Sequence, residues 1–237
     1  AARGCGAGHV DWRIEIDPVC SRRLLCAPHR ERDNEREGGD VKRIVVGITG
    51  ASGAVFGVRL LEALRAAEVE THLVLSKWGL QTVEHELGLS IAELRDRATV
   101  VHGGNSMAAT ISSGSFRTEG MVIAPCSMRT AAAIAHGYGE SLVHRAADVV
   151  LKERRRLVLV PRETPLSEVH LENLLKLARL GVTILPPMPA FYNRPSSVDD
   201  IVDHIVARVL DQFGIDAAFA KRWDGRMDRT APVSRLK

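Results

Sequence analysis

In "VPRETP", Arg162 and Glu163 stand together directly after the apolar run "LVLV". A charged pair there is either a structural ion pair or part of a site. Other apolar runs end on polar groups too. "APCSMRTAAAIAHG" sets Ser127, Arg129 and Thr130 at a helix start, where free N–H groups, hydroxyls and the helix dipole can hold a phosphate or a polar ring edge. Ser and Thr are also ordinary N-caps. "ITGASGAVFG" places Gly50, Ala51, Ser52 and Gly53 between a strand and a helix, either as an anion cradle or as a plain tight turn. In "PPMPAFYNRP" the prolines stiffen a loop that presents Phe191 and Tyr192. Arg208, inside the otherwise apolar "HIVARVLDQFG", either snorkels to the surface or binds phosphate. Lys152 opens the basic stretch "KERRRL", which also reads as a solvated helix end.

The common theme is an anionic ligand. A dinucleotide is disfavoured. Glycines at 47, 50, 53 and 57 miss the G-x-G-x-x-G spacing, and Ser76 and Lys77 stand where an acid should meet the ribose. A ligand with a single phosphate fits better.

The positioning elements follow from the pattern. Strands are expected at Arg43–Thr49, Glu70–Ser76, Gly120–Ala124, Leu157–Pro161 and Val182–Leu185. Helices are expected at Val55–Ala67, Gly79–Leu87, Thr130–Ala135, Leu142–Arg154, Ser167–Arg179 and Val198–Phe213. Short β-branched strands alternating with helices predict an α/β fold, a doubly wound, Rossmann-like or flavodoxin-like parallel sheet sandwiched by helices. Ligands then sit at the carboxyl ends of the strands. The polar loop "SSGSFRTEG", Ser112 to Gly120, is expected to be flexible and able to cover a ligand.

With 237 residues and 45% hydrophobic content, the chain can build one domain without disulfides. A net charge of +3 is too small to argue for nucleic acid. No apolar run approaches the length of a membrane span, and the start lacks the apolar centre of a signal peptide, so a cytoplasmic protein is expected. Three of the four cysteines, Cys5, Cys20 and Cys26, lie before the periodic body, and with His29 they match no zinc spacing. No metal site is expected. Residues 1–40, with the charge run "HRERDNEREGGD", read as a disordered extension. A GTG codon can start translation, so Val41 is a candidate start. The domain is expected over 41–224, followed by a polar tail, 225–237.

The motifs "GITGASGAVFGVRLLEAL", "LVLSKW", "EHELG", "SGSFRT", "MVIAPCSMRTAAAIAHG", "RAADVVLKERRRLVLVPRETPLSEVHLENLLKLARLGVTILPPMPAFYNRP" and "RW" together resemble the UbiX-type flavin prenyltransferases over about residues 41–224. The resemblance implies a fold that binds flavin mononucleotide (FMN). It implies transfer of a dimethylallyl group from dimethylallyl phosphate to N5 and C6 of reduced FMN, and delivery of the product to a UbiD-type decarboxylase. By motif, Gly50, Ala51, Ser52, Ser76, Ser127, Met128, Arg129, Thr130 and Arg162 would contact the flavin. Lys152, Arg162, Tyr192 and Arg208 would hold the dimethylallyl phosphate. Glu86 and Glu163 would flank the reacting edge, with Ser52 as a further catalytic group. Arg145, in "HRAAD", matches a motif arginine whose role stays open. The resemblance also implies a homo-oligomer, a dodecamer, with sites between subunits; "AADVVL" and "LENLLKLARL" are candidate interfaces.

The chemistry is consistent. Expelling phosphate from an allylic carbon builds charge on the leaving oxygens, which Lys and Arg donors stabilise. Aromatic faces shield the cationic allyl group; Tyr192 and Trp223 are candidates, Trp78 a weaker one. Two other readings are a non-catalytic FMN carrier subunit of an aromatic acid decarboxylase and an FMN-dependent cysteine decarboxylase of the same fold. The first would be free to lose Lys152, Glu163, Tyr192 and Arg208, which are all present. The second is opposed by "APCSMRT" and by the missing Met-Asn pair in "PPMPAFYN".

Overall fold

The computed structural model describes residues 42–223 and Gly225. The expectations for residues 1–40 and for most of the tail lie outside the described residues, as do Cys5, Cys20, Cys26 and His29.

The described elements are β1 (Arg43–Ile48), α1 (Ala54–Ala66), β2 (Glu70–Leu75), α2 (Lys77–Leu87), α3 (Ile91–Arg95), β3 (Val100–His102), β4 (Gly120–Cys126), α4 (Met128–Ala135), α5 (Leu142–Lys152), β5 (Arg156–Pro161), α6 (Glu168–Arg179), β6 (Thr183–Ile184) and α7 (Val198–Asp211). The sheet is parallel throughout, in the order β3-β2-β1-β4-β5-β6. This is the doubly wound order, with the chain's direction of travel reversing between β1 and β4.

Both faces of the sheet are covered, which is why its central strands read as continuous apolar runs. Ile44, Val46 and Ile48 pack with residues of α1, α2, α3 and α7. Val45, Val74 and Ile123 pack with residues of α4, α5 and α6 on the other side. Helix α6 turns Asn173 and Leu177 inward and leaves Val169, Leu171, Leu175 and Leu180 more than half exposed. The "AADVVL" segment is different from expectation. Ala146, Ala147, Val149 and Val150 are buried in the chain's own core because α5 packs them on the sheet. None of the described helices is long and apolar enough to cross a membrane.

Two elements were not expected. β3 is three residues at the sheet edge, paired with β2 alone, too short and too exposed for an apolar run. α3 is a single short helix, yet Ser90 and Glu93 form a capping box that was legible as S-x-x-E. Boundaries moved for physical reasons. α2 and α4 start earlier than expected because Ser76 and Ser127 cap them, accepting from the Gly79 and Thr130 amides. α5 stops at Lys152, and Arg154 turns left-handed at φ 53°. β4 runs past Ala124 because a register shift absorbs Pro125, which has no N–H to give the ladder.

Beside that shift lies a buried residue that sequence reasoning did not single out. The Thr49 hydroxyl donates to the Pro125 carbonyl at 2.8 Å and accepts from the Ser127 amide at 2.8 Å. The Thr49 amide also donates to the Pro125 carbonyl, at 3.2 Å. Thr49 is 1% exposed, so its replacement by the isosteric valine leaves the Ser127 amide without its acceptor and the Pro125 carbonyl with the Thr49 amide as its remaining donor. Thr49→Val is expected to cost roughly 1–3 kcal/mol, read as a lower urea midpoint with an unchanged slope.

Candidate functional site

The carboxyl ends of β1, β2, β4 and β5 meet along one rim of the sheet. Four polar stretches issue from it: Gly50–Gly53, Ser76, Ser127–Thr130 and Arg162–Glu163. They span the β1/β4 switch point, where parallel sheets open a crevice.

The glycine loop holds an anion, but one of the protein's own. The Glu86 carboxylate accepts from the Gly53 amide at 3.0 and 3.3 Å and from the Ala54 amide at 2.9 Å. These are the free N–H groups of the α1 N-terminus. The Ser52 hydroxyl donates to the same carboxylate. Partial burial opposes ionisation of Glu86. The Ser52 hydroxyl, the Ala54 and Gly53 amides and the Arg162 guanidinium outweigh it, and the carboxyl is held below its ordinary value. Of the two readings of this loop, anion cradle or plain turn, the structure shows a cradle whose Gly53 and Ala54 amides are taken by Glu86. Gly50 makes room for Trp78, whose Cβ a side chain at 50 would strike. Gly53 carries φ 102°, a conformation that favours glycine.

A second helix start remains. At α4 the Ser127 hydroxyl donates to Thr130 Oγ1 at 3.0 Å and accepts from the Thr130 amide. Met128 and Thr130 are buried, and the Thr130 amide is already given to Ser127, so of the two Met128 offers a ligand its backbone and neither offers an exposed side chain. Arg129 projects into solvent with a long contact to Glu140 at 3.7 Å. Ser76 is spent on capping α2, at 2.9 Å from the Gly79 amide, though its hydroxyl keeps a second lone pair. Glu163 accepts from the Thr164 amide at 3.0 Å and is exposed, as is Arg162.

Tyr192 and Arg208 come together elsewhere, in a cleft of about 440 Å³ whose lining includes Trp223, Lys221, Arg222 and Asp211. Tyr192 meets Trp223 edge to face at 5.6 Å. Asp211 binds Arg208 at 2.7 Å and Arg222 at 2.8 Å, leaving the cleft with three cations against one carboxylate. His204, in the same cleft, is held below its usual pKa by burial and then by Arg208. The cleft shares no lining residue with the Ser52–Glu86 group.

Lys152 stands apart from both. α5 ends there, just before β5 begins at Arg156, so Lys152 lies at the amino edge of the sheet. A six-residue strand puts the opposite rim about 20 Å away. One copy of the chain therefore does not bring Lys152, Arg162 and Arg208 to a single point. Trp78 is exposed beside Gly50 and does not line the cleft that holds Tyr192 and Trp223.

Fold and rim define a Rossmann-type protein with its polar groups gathered at the switch-point crevice. The sequence profile of the Flavoprotein family matches residues 31–210. A probable UbiX-like flavin prenyltransferase of Streptomyces sp. (strain D7) is 68% identical over 184 residues, 77% of this chain and 92% of that protein. AnUbiX (PadA1), crystallised in complex with FMN and dimethylallyl pyrophosphate, aligns with a TM-score of 0.78 at 52% identity, covering 79% of this chain and all 100% of that one. A dodecameric FMN-dependent UbiX-like decarboxylase from Escherichia coli O157:H7 aligns with a TM-score of 0.76 at 60% identity, covering 77% and 100%. The chain belongs to the Flavoprotein family and, within it, to the UbiX-like flavin prenyltransferases.

Glu86 gives a pH test. Its folded pKa is lowered, so its stabilising contribution is complete above the unfolded value of 4.5 and lost as pH falls through the folded value. The melting temperature of Glu86→Gln is expected to lie below wild type at pH 7, with the gap closing as the pH falls below 4.5.

Proposed function

We propose that the chain is an enzyme that joins a dimethylallyl group from dimethylallyl phosphate to N5 and C6 of reduced FMN. The observation that carries this reading is the Tyr192–Trp223–Arg208 cleft. It sets cations, which suit a departing phosphate, against aromatic faces, which suit a cationic allyl group.

The rim residues fit FMN. Backbone and hydroxyl donors from Gly50, Ala51, Ser52, Ser76, Ser127, Met128, Arg129 and Thr130 can follow a long polar ligand. Arg162 adds a guanidinium fork, and with Glu86 seated on α1 the anionic end goes to Ser76, the α4 start or Arg162. When bound, reduced FMN supplies two nucleophilic positions, N5 and C6. Ser52 and Glu86 face the reacting edge. Glu86 fixes the Ser52 hydroxyl, and Glu163 carries a proton to or from that edge. Lys152, Arg162, Tyr192 and Arg208 bind the dimethylallyl phosphate and stabilise charge on its leaving oxygens. A monophosphate is the proposed donor.

Since one chain separates Lys152, Arg162 and Arg208, the complete cation set is proposed to form between copies. The exposed leucines of α6 supply an apolar face for such an assembly, a homo-oligomer and by family likeness a dodecamer. The product is proposed to pass to a UbiD-type decarboxylase.

The test is an anaerobic incubation of the protein with reduced FMN and dimethylallyl phosphate, followed by mass measurement of the flavin. The expected result is a gain of one C5H8 unit, lost in Glu163→Gln and in Arg208→Ala. Unchanged flavin with both ligands bound would favour the carrier reading. Dimethylallyl pyrophosphate reacting faster than the monophosphate would overturn the choice of donor.

A further inference from the structure

The polar loop expected to be flexible is pinned. Arg155 reaches back from the turn after α5 and donates Nη1 to the Phe116 carbonyl and Nη2 to the Gly114 carbonyl, each at 2.7 Å. Arg145 Nε donates to the Ser112 carbonyl at 3.2 Å. Ser113 and Ser115 join their hydroxyls at 2.9 Å across the turn. The Phe116 ring stands edge-on to the buried His72 at 4.9 Å, with the Arg43 guanidinium 5.7 Å from its centroid. His72 is itself held, by Glu70 at 2.8 Å and His102 at 3.0 Å. The segment is thus tied through its carbonyls on one side and its aromatic ring on the other.

What the pinned turn touches is Lys152. A Cβ at Gly114 would strike the Glu153 carboxylate and stand 2.7 Å from Lys152 Nζ. The Lys152 ammonium in turn donates to Glu153 Oε1 at 2.5 Å. Lysine is a point charge on a flexible four-carbon stem, so its head is placed only by what surrounds it. Here the surroundings are the bare backbone of Gly114 and the Glu153 carboxylate. Arg155 fixes the first of these and follows Glu153 by two residues, at the end of the same turn. Its planar fork is suited to grip two carbonyls at once, which an ammonium cannot copy.

We infer that Arg155 is a positioning residue for Lys152, locking the Gly114–Phe116 turn as the wall that aims the Lys152 ammonium at the dimethylallyl phosphate. The inference rests on the reading of Lys152 as a phosphate donor. It distinguishes Arg155 from Arg154 and Arg156, its neighbours in the basic run. Arg154 is exposed in a left-handed turn, and Arg156 lies over the Phe213 ring.

The test is a double-mutant cycle in the assembled enzyme, with KM for dimethylallyl phosphate, kcat and FMN affinity measured for Arg155→Lys, Gly114→Ala, Lys152→Ala and the Arg155→Lys/Lys152→Ala pair. Arg155→Lys and Gly114→Ala are each expected to raise KM about tenfold with FMN affinity unchanged, as misplacement of a binding group does. In the Lys152→Ala background, Arg155→Lys is expected to change KM no further, because its effect passes through the missing ammonium. Multiplying effects in the pair, or an unchanged KM in both Arg155→Lys and Gly114→Ala while Lys152→Ala raises it, would overturn the inference alone. An unchanged KM in Lys152→Ala would overturn the reading of Lys152 and the inference with it.

Discussion

Everything at the rim depends on keeping the ends of β1 and β4 together. These neighbours lead their chains in opposite directions, β1 into α1 on one face and β4 into α4 on the other. The parting creates the crevice, and it also removes ladder bonds where they are needed. Pro125 has no amide to give, and the register slips between Ile123 and Cys126. One buried hydroxyl repairs the join. Thr49 takes the Ser127 amide and gives its proton to the Pro125 carbonyl, so the cap residue of α4 is fixed to the residue that opens the glycine loop. Buried polar groups must be paired, and a single threonine meets the demand of both strand ends.

The polar groups of the molecule are sorted by edge. Hydroxyls, amides and Arg162 line the carboxyl rim. Lys152, Arg155 and the pinned loop hold the amino edge, and Arg208 of α7 shares its cleft with Lys221. Antiparallel return helices cause this sorting, since a residue at the end of such a helix is carried a full strand length from the rim. The fold leaves one face of α6 uncovered, with Val169, Leu171 and Leu175 more than half exposed.

Much of this was legible. The parallel sheet followed from β-branched runs alternating with helical patterns, because strands buried on both faces leave no other signature. Five strands read alone would give the shorter flavodoxin-like order. The three-residue β3 adds an edge strand and could not be seen, being held by pairing with β2 rather than by its own composition. Site residues were legible as types at strand ends, but their partners were not. Nothing local in "EHELG" shows that Glu86 reaches back 33 positions to the Gly53 amide. Nothing in "SSGSFRTEG" shows that an arginine 41 positions on grips Gly114. Thr49 was hidden as the last residue of a strand, although a hydroxyl at a buried strand end is itself a sign of an unpaired neighbour.

The Ser52–Glu86 hydrogen bond also decides what kind of atom can lie above the glycine loop. A serine hydroxyl has one hydrogen, and here it is committed to a carboxylate held in its charged form. What Ser52 offers to the crevice is lone-pair density, made richer by the negative charge behind it. Any partner must bring its own hydrogen. The same contact that seats a carboxylate on α1 thus sets the polarity of the loop, turning the Ser52 hydroxyl toward the crevice as an acceptor rather than a donor.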